Sequence, residues 1–427
     1  MTPDSRQWYD ENMYLRGSKW SVRGRPRRRS NPFLIALLLV LIGVALYFNQ
    51  VVVPATPPLF IPTPTPTRSP ESYLNEAEQL FLEGRLLQAI EAYKEAIVVD
   101  PYNTATYVTL ARLQVFAGQY EEAITNAQNA LLKNPNNALA HAVLGWAQGF
   151  TGDYLSAEAS LKRALELDPN NALAHAYYAE VLINKGQIDD LDKAIEESRL
   201  AMQLDSTLLE TRRARGIVLL NTGPENIDAA INEFKAAIAI NSKISDLHLY
   251  LGYAYRVKGE NDLAVEELLA AYSLNPNDWT PLAEISLAYA NIGQYGKASQ
   301  YAEQAMKVEP TNPKLHGTLG IMYYRNGEMS KAVRELELAV RGGTMEDGTV
   351  VQGMPLDYGT VAQVYWFYGF ALAKTNRCNE AVQVFQSLLN GVPDDPLAVE
   401  NANAGIELCL EQSGEVTPEP TLTPTPE

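Results

Sequence analysis

Small and apolar residues recur along most of this chain with a period of 34 residues. The first three alanines of one series, Ala89, Ala123 and Ala157, are 34 residues apart. A glycine precedes most members of the series by five to eight residues, and a second alanine follows seven residues later. A fixed period of this length predicts a stack of similar structural units. The whole series is Ala89, Ala123, Ala157, Ala194, Ala230, Ala264, Ala298, Ala332 and Ala381.

Each unit is predicted to contain two antiparallel helices. The glycine suits the turn between them because glycine adopts positive φ at little cost. A proline twelve residues after most of the series alanines ends the second helix. Small residues on the first helix allow its partner to approach closely. These small residues are Ala77, Ala111, Gly145, Ala179, Gly216, Gly252, Ser286, Gly320 and Gly369.

In these positions the chain resembles the tetratricopeptide repeat (TPR) family. The resemblance covers residues 70–395 as nine repeats. It implies an all-α fold, a right-handed superhelical solenoid of about nine helix-turn-helix units, ended by a capping helix near residues 396–412. The repeats are predicted to start at Pro70, Thr104, Ala138, Ala172, Leu209, Ser245, Trp279, Pro313 and Ala362.

Three stretches depart from the regular repeat. The turns of repeats four and five carry extra residues, QIDDLD and PENID. A longer insert, 341–361, separates repeats eight and nine, and its Asp347-Gly348 pair followed by Thr-Val-Val predicts a small β-hairpin. The alternative is a surface loop without a role. If the insert has a role, we expect it to form a lip over one end of the groove.

The N-terminal part of the chain has a different composition. Residues 1–32 carry eight Lys/Arg and three Asp/Glu, and residues 33–53 contain no charged residue. As a helix, 21 residues would extend about 31 Å, close to the thickness of one hydrocarbon core. The arginine cluster before this span predicts that residues 1–32 form a basic cytoplasmic tail and that the rest lies outside. A cleaved signal peptide is the alternative, although no small-x-small cleavage site follows.

Two segments rich in proline and threonine flank the repeats. Residues 54–70 hold seven prolines and residues 414–427 hold four. Such sequences bury little and favour extended polyproline II conformation, so we predict a spacer before the solenoid and a disordered tail after it. The solenoid itself is predicted over residues 71–413.

Composition excludes several classes of function. The net charge is −17, and an acidic chain is a poor nucleic-acid binder. The sequence contains no metalloprotease, P-loop or serine-hydrolase motif, so we predict no enzyme, no cofactor and no metal site. The four histidines all fall at the fourth position of their repeats, where packing is favoured over metal binding. They are His141, His175, His248 and His316.

The two cysteines are predicted to form a disulfide. Cys378 starts the second helix of repeat nine, and Cys409 lies near the end of the capping helix. Antiparallel helices would bring these two points together, and a compartment outside the cytoplasm permits oxidation. The alternative is a pair of buried free thiols.

The TPR resemblance places the first helices on the inner face of the superhelix. The matching positions and their neighbours combine aromatic rings with arginines, which suits an extended peptide, while packing between repeats is the alternative role for each. The Lys and Asn pattern by which some cytosolic members hold a peptide carboxylate is absent. The candidate groove residues are Arg112, Trp146, Phe150, Tyr177, Glu180, Asn184, Arg213, Asn221, Tyr250, Tyr253, Arg256, Lys314, Tyr324, Arg325, Trp366, Phe367 and Phe370.

Together these features predict a scaffold held in the cell membrane by a single helix through the bilayer. Its TPR body would bind a protein or peptide partner outside the cytoplasm, in a process such as envelope assembly or secretion. Cell-wall glycan binding is one alternative, because aromatic faces also stack on sugars. Self-association of the repeats into a homo-oligomer is another.

Overall fold

The structure, a computed structural model, describes residues 31–52 and 68–413. Most of the predicted basic tail (1–32), nearly all of the spacer (54–70) and all of the tail 414–427 lie outside the described residues. The described residues fall into two units that divide between Thr67 and Arg68, and each is considered by itself.

The N-terminal unit contains one apolar helix. It runs over Pro32–Tyr47, where Asn31 caps its first turn, and continues as a π-helical segment, Phe48–Val52. The stretch Pro32–Val51 has 20 residues and a mean hydropathy of 2.4, and none of it is buried. By length and composition, this helix is able to cross a membrane.

Residues 68–413 form nine antiparallel helix pairs followed by one capping helix, which confirms the predicted all-α solenoid. Most first helices begin at the predicted repeat start; those of repeats seven and nine begin one residue after and two residues before it. The pairs are Pro70–Leu82 with Leu86–Val99, Thr104–Phe116 with Tyr120–Lys133, Ala138–Phe150 with Tyr154–Leu167, Ala172–Lys185 with Leu191–Leu204, Leu209–Leu220 with Ile227–Ile240, Ser245–Lys258 with Asn261–Leu274, Thr280–Asn291 with Tyr295–Val308, Pro313–Arg325 with Met329–Arg341 and Thr360–Lys374 with Cys378–Gly391; the capping helix is Pro396–Ser413.

Local chemistry explains where these helices begin and turn. Asn137 and Asn171 cap first helices by accepting hydrogen bonds from backbone N–H groups of the first turn. Most inter-helix turns contain a glycine at positive φ, for example Gly118 at 73°. In repeat nine Asn376 takes this place at 60°, the single non-glycine residue with positive φ among the described residues. Asparagine is the residue after glycine that tolerates this conformation best.

The small residues of the first helices are close-contact points, as the sequence predicts. A Cβ added to Gly145 would lie 2.7 Å from Leu161 Cγ, and one added to Gly216 would lie 2.6 Å from the Phe234 ring. A large side chain of the second helix therefore fills the space that the first helix leaves. This exchange of small for large holds each helix pair together.

The irregular stretches form ordered local structure. The extra residues of repeats four and five make short 3-10 helices, Ile188–Asp190 and Pro224–Asn226. The insert forms the predicted hairpin, in which β1 (Gly342–Thr344) pairs antiparallel with β2 (Val350–Gln352). Met354, just after β2, is buried and its N–H donates to the carbonyl of Ala339 at 2.8 Å.

The superhelix curves so tightly that its first two repeats contact repeats five and six. Phe81 and Phe116 pack against a buried cluster that includes Leu209 and Leu247. Arg112 of repeat two lies 3.2 Å from the carboxylate of Glu210 in repeat five. The first six repeats therefore close into a ring.

Candidate partner-binding site

The centre of the ring is filled by side chains that the sequence analysis placed in the groove. Trp146 stacks on Tyr177 with ring centroids 4.2 Å apart, and the Arg213 guanidinium lies 5.6 Å from the Trp146 ring. On its other side, Arg213 lies 5.3 Å from the Tyr250 ring. Trp146, Tyr177 and Arg213 are at most 1% exposed.

Two carboxylates neutralise the buried arginine. Arg213 Nε donates to Asp246 at 2.7 Å, and its NH1 forms an ion pair with Glu180. Glu180 also accepts a 2.7 Å hydrogen bond from Trp146 Nε1. Burial alone would lower the pKa of Arg213, but Asp246 and Glu180 outweigh it and hold that pKa well above its ordinary value.

These candidate residues pack against one another, and a role for them in binding a partner stays a prediction. Their contacts join repeats three, four, five and six. Arg112 is likewise engaged, since it faces Glu210 across the ring. A buried ion pair inside an aromatic stack favours one geometry of the ring, because each partner left alone would be a buried, uncompensated charge.

A cavity of about 790 Å³ remains beside this core. Phe116, Phe150 and Tyr250 contribute apolar walls, and Tyr120 stacks flat on Phe150 with centroids 4.8 Å apart. Burial, with Asp246 and Asp278 in the same direction, raises the pKa of Tyr120 to about 12. Tyr120 therefore stays neutral at physiological pH.

A second, more open surface lies on repeats seven to nine. We call it the cation–aromatic strip and define it by Tyr295, Lys297, Tyr324, Arg325, Phe367 and Lys374. All six lie near the turn between the two helices of a repeat, at the end of a first helix or the beginning of a second one. Phe367, the most distant of them, is about two helical turns from the end of its helix.

Direct contacts connect the strip across three repeats. The Arg325 guanidinium lies 5.7 Å from the Tyr295 ring and 5.4 Å from the Phe367 ring. Phe367 meets Tyr324 edge to face at 5.2 Å, and the Lys374 ammonium lies 4.8 Å from the Tyr324 ring. Such cation–π contacts order the long side chains while leaving their charges available.

The charges of the strip are unbalanced. Lys297, Arg325 and Lys374 are exposed, and none of them forms an ion pair with a carboxylate within residues 68–413. By contrast, Arg256 of repeat six is bound to Glu284 at 2.6 Å. The strip is thus a local positive surface on a chain whose net charge is −17.

The remaining candidate residues divide between surface and interior. Tyr253 is 36% exposed and lies under the Arg256 guanidinium at 4.9 Å. Trp366 is only 9% exposed and belongs to the hydrophobic core of repeats seven to nine. Phe370 is half-buried and packs edge to face on Phe385.

The sequence analysis included Tyr324, Arg325 and Phe367 but missed Tyr295, Lys297 and Lys374. A positional signal for Lys374 exists in the repeats. Arg325 lies two residues before Gly327, and Lys374 lies two residues before Asn376, so both occupy the same position of the repeat. Tyr295 likewise lies two residues after a turn glycine, Gly293.

The histidines pack as the sequence predicts and share one pattern of contacts. In each of His175, His248 and His316, Nε2 faces a backbone carbonyl six residues earlier and Nδ1 faces a glutamate of the second helix. His141 has the carbonyl contact to Pro135 alone. Within the described residues, no group of three or more His, Cys, Asp or Glu side chains is arranged to hold a metal ion.

The two cysteines meet at the end of the solenoid. Cys378 and Cys409 are joined in the structure with their Cα atoms 5.4 Å apart, a separation typical of disulfides. The pairing links the second helix of repeat nine to the capping helix. Oxidation of the pair in the cell stays a prediction.

Sequence models described as tetratricopeptide repeat match residues 80–147, 151–203, 224–278 and 282–312. Among curated proteins, the chain is similar to anaphase-promoting complex subunit 6 of Dictyostelium discoideum, with 27% identity over 27% of this chain and 13% of the relative. It is also similar to the same subunit of Arabidopsis thaliana, with 29% identity over 24% of this chain and 19% of the relative. The chain thus spans less than a fifth of the length of either relative.

Among solved structures, the fold is similar to a human IFIT1 dimer with m7Gppp-AAAA, with a TM-score of 0.54 and 20% identity over 79% of this chain and 80% of the other. It is also similar to the Cut9–Hcn1 hetero-tetramer of the APC/C, with a TM-score of 0.53 and 18% identity over 62% and 51% of the two chains. At these identities the likeness establishes the fold alone.

Proposed function

We propose that the chain is a membrane-anchored scaffold of the tetratricopeptide repeat family, and that it binds a protein partner through the cation–aromatic strip. The anchor would be the helix Pro32–Tyr47 with its extension to Val52. The TPR body, residues 68–413, would be presented outside the cytoplasm. The partner would offer an acidic, extended segment.

The observation that carries the proposal is the exposed and unbalanced charge of the strip. Lys297, Arg325 and Lys374 lie beside aromatic rings and have no carboxylate partner within the solenoid. Aromatic and arginine side chains are the residues that contribute most to protein interfaces. The buried core of the ring, in contrast, has already satisfied its charges with Glu180 and Asp246.

The proposed orientation rests on the positive charge that precedes the apolar helix. Arg23, Arg25 and Arg27–Arg29 precede the helix within ten residues, and positive charge is retained on the cytoplasmic side. Protease added to intact cells should therefore degrade the TPR body. If the body is digested only after the cells are lysed, the orientation is wrong.

A binding measurement tests the partner chemistry. The full chain in lipid nanodiscs is titrated with a labelled peptide of alternating Glu, Pro and Tyr, and with the same peptide carrying Lys in place of Glu. We expect the acidic peptide alone to bind, and its affinity to fall as salt is added, because exposed charges are screened. The variant Arg325→Glu, Lys374→Glu should lose most of this affinity.

A control variant and a competing ligand complete the test. The control is the double variant Lys94→Glu, Lys162→Glu, which changes lysines on the second helices of repeats one and three. Their side chains are 44% and 55% exposed and lie far from the strip in sequence, so this variant should bind like the wild type. An RNA oligonucleotide of matched charge serves as the competitor. If RNA binds more tightly than the acidic peptide, the proposed protein partner is wrong, as is the prediction that this chain binds no nucleic acid.

A further inference from the structure

The segment that follows the capping helix has the chemistry of a ligand for the strip. Residues 414–427, GEVTPEPTLTPTPE, carry three glutamates and four prolines and contain no Lys or Arg. No Lys or Arg occurs anywhere after Arg377. A segment with this composition is acidic, and its prolines favour the extended polyproline II conformation that docks on aromatic surfaces.

The structure shows where this segment leaves the solenoid. Gln412, next to the last described residue, has its Oε1 3.3 Å from Cys378 Sγ. Cys378 is four residues after Lys374, across the turn that ends the first helix of repeat nine. The capping helix therefore ends beside Cys378, at the edge of the solenoid on which the strip lies.

The segment 414–427 is long enough to reach all three cations of the strip. Fourteen residues in polyproline II conformation extend about 43 Å, at about 3.1 Å per residue. Packed helices are about 8–10 Å apart, so this reach exceeds the width of the three repeats that carry Lys374, Arg325 and Lys297. The short connection also keeps the segment at high effective concentration near the strip.

Charge directs the segment away from its own helix and toward the strip. The capping helix carries Glu400, Glu407 and Glu411 and no cation, so it repels the three glutamates that follow. The strip carries three exposed cations without carboxylate partners within residues 68–413. We propose that residues 414–427 dock on the cation–aromatic strip of the same molecule, with Glu415, Glu419 and Glu427 facing Lys374, Arg325 and Lys297.

Docking of this segment would make it a competitor for the partner, a consequence that rests on the proposed function. Docking itself does not depend on a partner. A partner would have to displace an intramolecular ligand, so its apparent affinity would be reduced by the fraction of molecules in which the strip is free.

Zero-length carbodiimide coupling tests docking on the purified full chain without any partner. The reagent joins a carboxylate to an amine only where the two are in contact. We expect the glutamates of 414–427 to couple to Lys374 and Lys297, and not to Lys94 or Lys162, whose side chains are 44% and 55% exposed. Even coupling to all four lysines, or coupling to neither strip lysine, would overturn the proposal.

Two variants and a mixing experiment separate the alternatives. Arg325→Ala leaves both coupling lysines in place and should reduce the coupling several-fold, whereas Arg163→Ala, an exposed arginine of repeat three, should leave it unchanged. A mixture of unlabelled and nitrogen-15-labelled protein identifies which chains are joined. Links mostly between two copies would overturn docking within one molecule and indicate a dimer. A third result is also informative. If the double variant Arg325→Glu, Lys374→Glu loses partner binding but the wild type shows no coupling, the proposed function stands and docking of the segment is wrong.

Discussion

Single residues at the contact between paired helices decide whether a repeat can close. At Gly145 the second helix comes so close that an added Cβ would lie 2.7 Å from Leu161 Cγ and 2.8 Å from the backbone oxygen of Ala157. The backbone oxygen cannot move aside as a flexible side chain can. The sequence shows this requirement directly, because every repeat has a small residue at this position.

The first prediction is that Gly145→Ala destabilises the solenoid. Overpacking a close contact typically costs about 1–3 kcal/mol, which outweighs the higher helix propensity of alanine. Denaturant unfolding followed by circular dichroism measures the change. Gly296→Ala is the control, since a Cβ there meets only Asn326 Oδ1 at 3.6 Å and the substitution should be neutral or stabilising. Equal effects of the two substitutions would show that propensity, not the contact, decides.

The second prediction concerns His316, which is buried beside Glu335 at 2.7 Å. Burial would lower the pKa of His316, but the contacts with Glu335 and the Pro310 carbonyl outweigh it and raise that pKa above its ordinary value. A raised pKa stabilises the fold fully below about pH 6.5, and this stabilisation is lost as pH rises through the folded-state pKa. The stability difference between wild type and His316→Gln should therefore shrink as pH rises above about 6.5.

His141→Gln is the matched control for this pH dependence. His141 makes the same carbonyl contact but has no carboxylate partner within the described residues. Comparison of the two substitutions separates the contribution of the Glu335 contact from that of the carbonyl contact, which both histidines make. A difference for His316→Gln that grows with pH would contradict the assignment of a charged imidazole.

At the scale of secondary-structure elements, the periodic residues predicted the helices and most of their ends. The turn glycines and Asn376 set where each first helix stops, and the asparagine caps set where several begin. These signals are local, so one sequence is enough to read them. The contact between Arg112 and Glu210 is different, because it depends on the small rotation at every repeat junction between them. No local sequence pattern gives the total rotation over three junctions. The sequence alone therefore could not distinguish residues that line an open groove from residues that fill the closed ring.

The third prediction tests the closure of the ring. A double-mutant cycle with Arg112→Met and Glu210→Gln should give a coupling energy of about 0.5–3 kcal/mol, the range for residues in direct contact. Each single substitution should destabilise the protein more than the double substitution does, since it leaves one charge in a largely buried site without its partner. Thermal and denaturant unfolding provide the values. A coupling energy of zero would mean that repeats two and five do not meet in solution.

The fourth prediction is that the cysteine pair is oxidised and stabilises the last repeat. Cys378 and Cys409 close a loop of 31 residues, for which the chain-entropy model gives about 3–4 kcal/mol. Reduction should lower the free energy of unfolding by this amount, which is measured as a lower denaturant midpoint. The double variant Cys378→Ser, Cys409→Ser should be insensitive to reductant. Complete thiol labelling of the unfolded, unreduced protein would show that the cysteines are not oxidised and would contradict this prediction.

For the whole molecule, charge is arranged in separate regions. Residues 1–32 have a net charge of +5, whereas the rest of the chain is strongly acidic. Within the acidic part, the strip is a positive surface on repeats seven to nine, and the capping helix and the segment 414–427 that follow in sequence are acidic. The sequence predicts the anchor from an uncharged run of residues, and the helix found there is able to cross a membrane by its length and composition. It could not reveal the strip as a surface, because residues 295 to 374 of three repeats come together only in the folded solenoid.

The central claim is that partners bind the strip of a membrane-anchored body. The most direct measurement is chemical crosslinking in native membranes followed by quantitative mass spectrometry of captured proteins. It compares three proteins: the wild type, the double variant Arg325→Glu, Lys374→Glu in the strip, and the control double variant Lys94→Glu, Lys162→Glu. The account predicts a set of captured proteins that the strip variant loses and the control variant keeps, while circular dichroism shows all three proteins folded. Identical sets from all three would contradict it.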